Sequence, residues 1–303
     1  MRIRKWTMRI KKINFFDFWI FLILTILTLV TVYPILNTVA ISFSDKTSAA
    51  LGKVFLWPVN FNYAAYEEMI KGRQYFISFG NSAFRTVLGT FVNVLVSITM
   101  AYPLSKDKSI FPARNIYMWF VVFNMLFNGG LVPNFILVKN IGIMDSIWAL
   151  VLPGAVPAFS VIMLMNFFKG IPKSLEEAAL MDGANPLYVL INIIIPLSKP
   201  AIATISLFAI VGHWNAYFDG MMYINTPTKM PLQTYIQAMR INIDQLLTTA
   251  TIRDPRELER LEQISAITFD SAKVIVAMAP LLLIYPFLQR YFTQGIVMGA
   301  VKE

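Results

Sequence analysis

The chain has 303 residues, of which 57% are hydrophobic and 14% charged, with a formal net charge of +9, one His and no Cys. Soluble globular chains carry about 25% charged residues, so a mean hydropathy of +0.60 points to lipid as the solvent and to an integral membrane protein. The missing Cys excludes a disulfide framework, a thiolate metal site and a Cys nucleophile, and a single His excludes an H-E-x-x-H zinc site.

The N-terminus carries Arg2, Arg4, Lys5, Arg9, Lys11 and Lys12 before any acid. A nucleic-acid partner is one reading of so much charge. A basic stretch abutting a long apolar run is better read as an orientation signal that keeps residues 1–14 in the cytoplasm. The run that follows, Phe18 to Ser44, is charge-free for 27 residues, too long for the apolar region of a cleaved signal peptide, about 7–15 residues. It reads as a first transmembrane helix within residues 15–44.

A helix needs about 20 residues to cross the bilayer core. Further charge-free stretches of that order are Thr86 to Ser105, Asn115 to Val138, Ser146 to Phe168, Pro200 to Phe218 and the shorter Val274 to Gln289, whose flanking side chains must snorkel. The expected fold is therefore all-α, with six transmembrane helices and both termini cytoplasmic. Residues 45–78 form an extracellular loop, 79–290 the main membrane domain and 291–303 a cytoplasmic tail. Within the domain, 169–199 faces the cytoplasm and 219–272 the outside. The inner segments then hold 14 basic residues and the much longer outer segments 12, so the density of positive charge supports this orientation.

The inner segment KGIPKSLEEAALMDGANPLYVLINIIIPLSKP, residues 169–200, parses as two short helices joined by a tight turn. Ser174 and Glu177 have the S-x-x-E spacing of a capping box. Leu175, Ala178 and Ala179 form a narrow apolar stripe. Gly183 suits a helix stop at positive φ, Asn185 an N-cap with Pro186 at N1, and Pro196 and Pro200 a kink on entry to the fifth span. Such an elbow is shaped to dock into a groove of another protein, or it is a folded-back loop with no partner; physics alone leaves both open.

Glu177-Ala178-Ala179, Gly183 four residues on, and Ile193-Ile194-Ile195-Pro196 resemble the E-A-A-x-x-x-G and I-x-L-P signature of the membrane subunits of ATP-binding-cassette importers, with Ile195 where Leu is usual. AYPLSKDK at 101–108, GHWNAYF at 212–218, LQTYIQ at 232–237 and YPFLQRYFTQGIVMGAVK at 285–302 extend the resemblance to the carbohydrate-uptake branch, the MalG-like subunit of its LplC/YtcP group. The resemblance implies a type I importer permease fold in the bacterial cell membrane. It implies three kinds of protein partner, a second, MalF/LplB-like permease subunit, two ATP-binding subunits and an extracellular solute-binding protein, with lipid around the spans and no nucleic acid. It makes Glu176, Glu177, Ala178, Ala179, Asp182 and Gly183 ATPase-coupling residues, although Glu177 also suits a helix cap and Gly183 a helix stop. The tail Gln294 to Lys302 resembles tails that reach the ATPases. No G-x-x-x-x-G-K-[ST] occurs, so this chain has no loop for ATP phosphates and no cofactor of its own; ATP and Mg belong to the partner, and the permease itself is not an enzyme.

Polar groups inside spans usually face the bundle interior. Asn37, Asn93, Asn124, Asn128, Asn166, His213, Trp214 and Asn215 suit either interhelical hydrogen bonds or a solute path. Asn128, Trp214, Asn215 and Tyr217 are the substrate-path candidates, since aromatic rings beside amides suit a sugar. His213 has no carboxylate within its own span. In the outer segment, Asp254-Pro255-Arg256-Glu257 followed by ELERLEQI predicts a solvated helix, either decorative or, with Asn60 to Glu68, a docking surface for the solute-binding protein. An intramembrane enzyme lacks paired acids or a metal cluster; a secondary transporter lacks a coupling carboxylate inside a span or a broken-helix repeat. The leading expectation is import of sugars, most simply oligosaccharides, by alternating access, with a non-sugar solute as the alternative cargo.

Overall fold

The structure, a computed structural model, describes residues 15–70, 73–127, 129–239 and 265–300. Among them every regular element is helical. The chain divides into two compact units, residues 1–67 with 251–275 and residues 68–250 with 276–303.

The first unit is built on α1, Phe15–Ser42. At 28 residues it is about 42 Å long, more than the ~30 Å hydrocarbon core. Its apolar window is 0% buried by protein, so its Phe, Leu and Ile side chains need lipid. The hydroxyls of Thr25, Thr28, Thr31 and Thr38 each donate to the carbonyl four residues back, at 2.7–3.0 Å, which satisfies them where there is no water. At the far end of α1 the loop is tied down. Asn37 Nδ2 donates to the Val54 and Phe55 carbonyls at 2.9 and 2.7 Å, so this amide is a staple between span and loop. Asp45 caps α2, Lys46–Ala50, accepting from the Thr47 and Ser48 amides. Phe43 stacks with Phe61, just before α3, Ala64–Ile70, and with Tyr66 inside it.

The second unit contains α4, Arg73–Ser105, α5, Arg114–Leu126, and α6, Leu131–Ile141. It continues with α7, Ile147–Val151, α8, Ala158–Lys169, α9, Lys173–Met181, and α10, Pro186–Val189. Last come α11, Ile195–Leu197, α12, Lys199–Asn215, α13, Phe218–Tyr223, and a helical stretch at 232–239. The final helix, α14, Ala266–Ala300, belongs to the first unit up to residue 275 and to the second from residue 276; it opens with a reciprocal cap in which Ser265 Oγ accepts from the Thr268 amide and Thr268 Oγ1 from the Ser265 amide.

Two helices, α1 and α4, are long and apolar enough to span unbroken among the described residues, and three bent pairs raise the number to five. The expected straight third span, Asn115 to Val138, is instead α5 and α6 at 116° to one another. Gly130 at φ +84° supplies a backbone turn that a helix cannot hold. The expected fourth span bends by 51° between α7 and α8, where Pro153 and Pro157 withhold amide donors. The second expected span is longer than the 20-residue stretch Thr86 to Ser105: α4 runs through Arg85 and starts at Arg73. Its core partners are α8 and α12, and Ile98, Ala101, Leu104, Val161, Leu164, Phe168, Ala201 and Ile205 form one buried apolar cluster.

Candidate functional site

The elbow grows out of that same cluster. Val189, Leu190 and Ile194 are buried in it, and Ala179 and Ala184 pack against it. Between α10 and α11, Leu190–Ile194 forms a π turn, with the Ile195 amide donating to the Leu190 carbonyl five residues back. Pro196 has no amide for the Asn192 carbonyl, and the wider turn accommodates it. The chain then bends 82° into α12 at Ser198, with Pro200 in its first turn. The second half of the elbow is thus seated in the membrane bundle while the first half projects.

The turn between the halves is made as its residues require. Gly183 has φ +83°; its amide donates to the Leu180 carbonyl and the Ala184 amide to the Ala179 carbonyl, both at 3.0 Å, the paired bonds of a Schellman stop. Asn185 Oδ1 accepts from the Tyr188 amide at 2.7 Å and caps α10, with Pro186 at N1. The capping box expected at Ser174 is not made. Helix α9 starts two residues earlier, its cap position is Pro172, and no side chain caps it. The reason is tertiary: Glu176 is held by Lys106 and Lys173 by Asp107, which fixes the start of α9 from outside. Of the coupling candidates, Glu177, Ala178, Asp182 and Gly183 are exposed, while Glu176 and Ala179 are half-buried. Met181 at 87% and Leu187 at 62% exposure leave an apolar tip with little cover from the described residues. Outside the spans, the Lys173 ammonium holds the Asp107 carboxyl below its usual range, and Asp107 raises Lys173 in turn.

A second site lies inside the bundle. Arg85 donates through Nη1 to Asp219 Oδ1 and to the Ala216 carbonyl, both at 3.1 Å, and through Nη2 to Asp219 Oδ2. The Arg85 side chain is 2% exposed. One turn along α4, Gly89 faces His213 so closely that a Cβ there would lie 2.4 Å from Nε2. A further turn on, Asn93 Oδ1 meets His213 Nε2 at 2.6 Å while its Nδ2 donates to the Gly154 carbonyl at 2.7 Å. With the Asn93 oxygen as acceptor, the imidazole carries its proton on Nε2. Arg85, Asn93, His213 and Asp219, with Ser160, Phe208 and Tyr223, line a cavity of about 380 Å3.

Arg85 and Asp219 directly flank the charge-free stretches Thr86 to Ser105 and Pro200 to Phe218, where a charge is expected to face water; in the structure they neutralise one another between helices. The signal was present as two lone opposite charges at the ends of spans that prove to be neighbours. Asp219 also shares the cavity with His213, the carboxylate that the fifth span itself lacks. Of the substrate-path candidates, Trp214 is 4% exposed; its indole N–H donates to the Ala277 carbonyl at 2.9 Å and its ring meets Phe79 edge-on. Asn215 and Tyr217 are exposed, and Asn128 lies outside the described residues. Asn93 makes interhelical bonds, and Asn124 and Asn166 are exposed.

At the other end of α4 the segment after α13 is pinned by polar bonds. Asn81 Nδ2 donates to the Thr228 and Met230 carbonyls, and Ser82 Oγ accepts from the Leu232 amide. Asp145 accepts from the Asn225 and Thr226 amides, the Thr226 hydroxyl and Lys229 Nζ, and these donors, Lys229 foremost, hold its carboxyl far below the usual carboxylate range. The helix expected after Asp254 and the residues from Met1 to Asn14 lie outside the described residues. Among the described residues no group of His and acids could hold a metal ion.

Comparison with known proteins places this geometry. The family described as Binding-protein-dependent transport system inner membrane component matches residues 76–298. The chain is 40% identical over 271 residues to the Polygalacturonan/rhamnogalacturonan transport system permease protein YtcP of Bacillus subtilis (strain 168), covering 89% of this chain and 92% of that protein. It is 38% identical over 272 residues to Protein LplC of the same organism, covering 89% of each. Among solved structures, a chain of a bacterial ABC transporter involved in the import of the acidic polysaccharide alginate is similar with a TM-score of 0.76 and 31% identity, over 91% of this chain and 96% of that one.

Proposed function

Since the chain belongs to the binding-protein-dependent transport family of inner membrane components, we propose that it is the permease subunit of a sugar importer whose α9–α10 elbow receives work from a separate ATPase. The observation that carries this is the elbow itself: an exposed apolar tip on a helix pair whose inner half is buried in the same cluster as α4, α8 and α12. A docked partner that moves the tip moves the spans.

The reading has six membrane crossings, both termini in the cytoplasm and the loop after α13 outside. Within the 79–290 module, segment 169–199 faces the ATPases. A second permease subunit completes the pore, two ATP-binding subunits hold ATP and Mg, and an extracellular solute-binding protein delivers cargo to the outer loops. Closure of the ATPases biases a two-state membrane element through the elbow. The cargo is an oligosaccharide; the names of the similar proteins, which speak of polygalacturonan/rhamnogalacturonan and of alginate, support fragments of acidic polysaccharides.

The test is Gly183→Asp. No atom lies within 4 Å of a Cβ built at Gly183, and its φ is +83°, so the change strains the turn and places a charge at the tip without a clash inside this chain. In an assembled complex the variant is expected to insert and to hydrolyse ATP while uptake falls by at least about fivefold, the low end of coupling between sites. Gly183→Asn, which tolerates positive φ, should lose much less. Wild-type uptake by Gly183→Asp would refute the assignment of the elbow.

A further inference from the structure

The two adjacent acids of α9 face different neighbours. Glu177 is exposed. Glu176 turns back into the protein, where Lys106 Nζ donates to both of its oxygens at 2.5 Å. The same ammonium lies 4.0 Å from the centroid of the Tyr102 ring, and the Tyr102 hydroxyl is 3.4 Å from Glu176 Oε1. The Lys106 and Glu176 side chains are 12% and 21% exposed, against 70% and 59% for Lys173 and Asp107. Solvent and salt weaken the exposed pair far more than the sheltered one.

Lys106 directly follows Ser105, the last residue of α4, where a cation complements the helix C-terminus. The pair therefore joins the end of a membrane helix to the first turns of the projecting half of the elbow. Apolar packing does little of this job: no residue of α9 is fully buried, and of its side chains only the small Ala179 packs against the apolar cluster. Between α9 and the 106–114 loop lies a groove of about 400 Å3, lined by Ile110, Arg114, Phe168 and Leu180 among others. A push on α9 has two routes inward: around the turn to the buried α10, or straight through Glu176 and Lys106 to α4.

Building on the coupling role proposed above, we propose that the Lys106–Glu176 pair, braced by Tyr102, is a strut that fixes α9 to α4 and stays closed through the transport cycle. Glu176 is then a positioning residue acting through Lys106, and Glu177 is the acid left facing the ATPase.

The complete complex with its ATPases and binding protein, in proteoliposomes, gives the readout as ATP hydrolysed per sugar imported. Lys106→Glu and Glu176→Lys are each expected to raise that ratio at least about fivefold, and the double swap to return it to within about twofold of wild type. Because the chain has no Cys, Lys106→Cys with Glu176→Cys can be joined by a short bifunctional thiol reagent, and the joined complex should still import. The strut is overturned if the single reversals keep the wild-type ratio, if the swap fails to rescue, or if joining stops uptake and cleaving the link restores it. Should a reversal block assembly, Lys106→Met and Glu176→Gln are measured by the same ratio, a raised value supporting the strut and a wild-type value overturning it. A wild-type complex that imports without ATP would strike the coupling role itself, whereas coupled wild-type import with unaffected variants strikes only the strut.

Discussion

The Arg85–Asp219 pair offers the sharpest test of how the bundle is held. Asp219→Asn keeps the side-chain shape and the bond that Oδ1 accepts from the Gly220 amide at 2.8 Å. It removes the charge and replaces Oδ2, the acceptor for Arg85 Nη2, by an amide NH2 donor, opposite an arginine side chain that is 2% exposed. Breaking one side of a buried pair costs about 3–5 kcal/mol, and because Asp219 is 28% exposed water can relieve part of the loss, which sets the expected value near the lower end, about 3 kcal/mol. For a chain of this size that corresponds to a melting-temperature drop on the order of 5–10 °C. Removing both charges, with Arg85→Met and Asp219→Leu together, leaves no stranded ion. The double variant should lie within about 2 kcal/mol of wild type, the cost of the lost bonds to the Ala216 carbonyl and from the Gly220 amide. Thermal melts of the purified protein in one detergent give all four corners of the cycle. An Asp219→Asn protein that melts within about 1 °C of wild type, or a double variant as unstable as the single, would refute the claim that this pair is a desolvated interhelical joint.

Two further outcomes follow from the same geometry. Gly89→Ala places a Cβ 2.4–2.6 Å from three atoms of the His213 ring; overpacking plus loss of the bond to Asn93 should cost about 2–4 kcal/mol, seen as a lower melting temperature that Gly89→Ala with His213→Ala largely restores. Asp145→Asn should loosen the segment after α13. The Asp145 carboxyl is held below its usual range, so its contribution is complete above the unfolded pKa of about 3.9 and is lost as pH falls through the lower folded value. The difference in melting temperature between wild type and Asp145→Asn should stay constant from about pH 8 to about pH 5 and narrow only in stronger acid. Narrowing already between about pH 8 and pH 6 would contradict the assignment of that carboxylate.

Much of the architecture was legible because it rests on local rules. The lipid-facing character of α1 needs only its run of apolar residues. The Gly183 stop and the Asn185 cap need only the φ freedom of one residue and the reach of one amide, and both are made as the sequence implies. What was misread depends on partners distant in sequence. Treating each charge as the end of a span works at Lys106 and Arg114, at the ends of their helices. It fails at Arg85, because Asp219, 134 positions away, lets a charge sit inside α4. The prolines at 153 and 157 are visible in the sequence, yet whether they bend a span or merely begin a helix depends on Asn93 taking up the freed Gly154 carbonyl.

The same division separates the two parts of the candidate site. Trp214 looked like a sugar platform because an indole beside amides suits one, but its N–H has a neighbour in the Ala277 carbonyl and its ring lies against Phe79, so this side chain is committed to joining helices. The cavity is formed instead by groups from α4, α8, α12 and α13 that no local motif links. At the elbow the reverse holds. The signature residues Ala178 and Gly183 point outward with no work to do inside the chain beyond shaping a turn, whereas Glu176, one position before the signature begins, carries the contact to α4. On the proposed reading the motif marks the surface a partner reads; the groups that hold that surface to the membrane helices lie just outside it and appear only when the chain is folded.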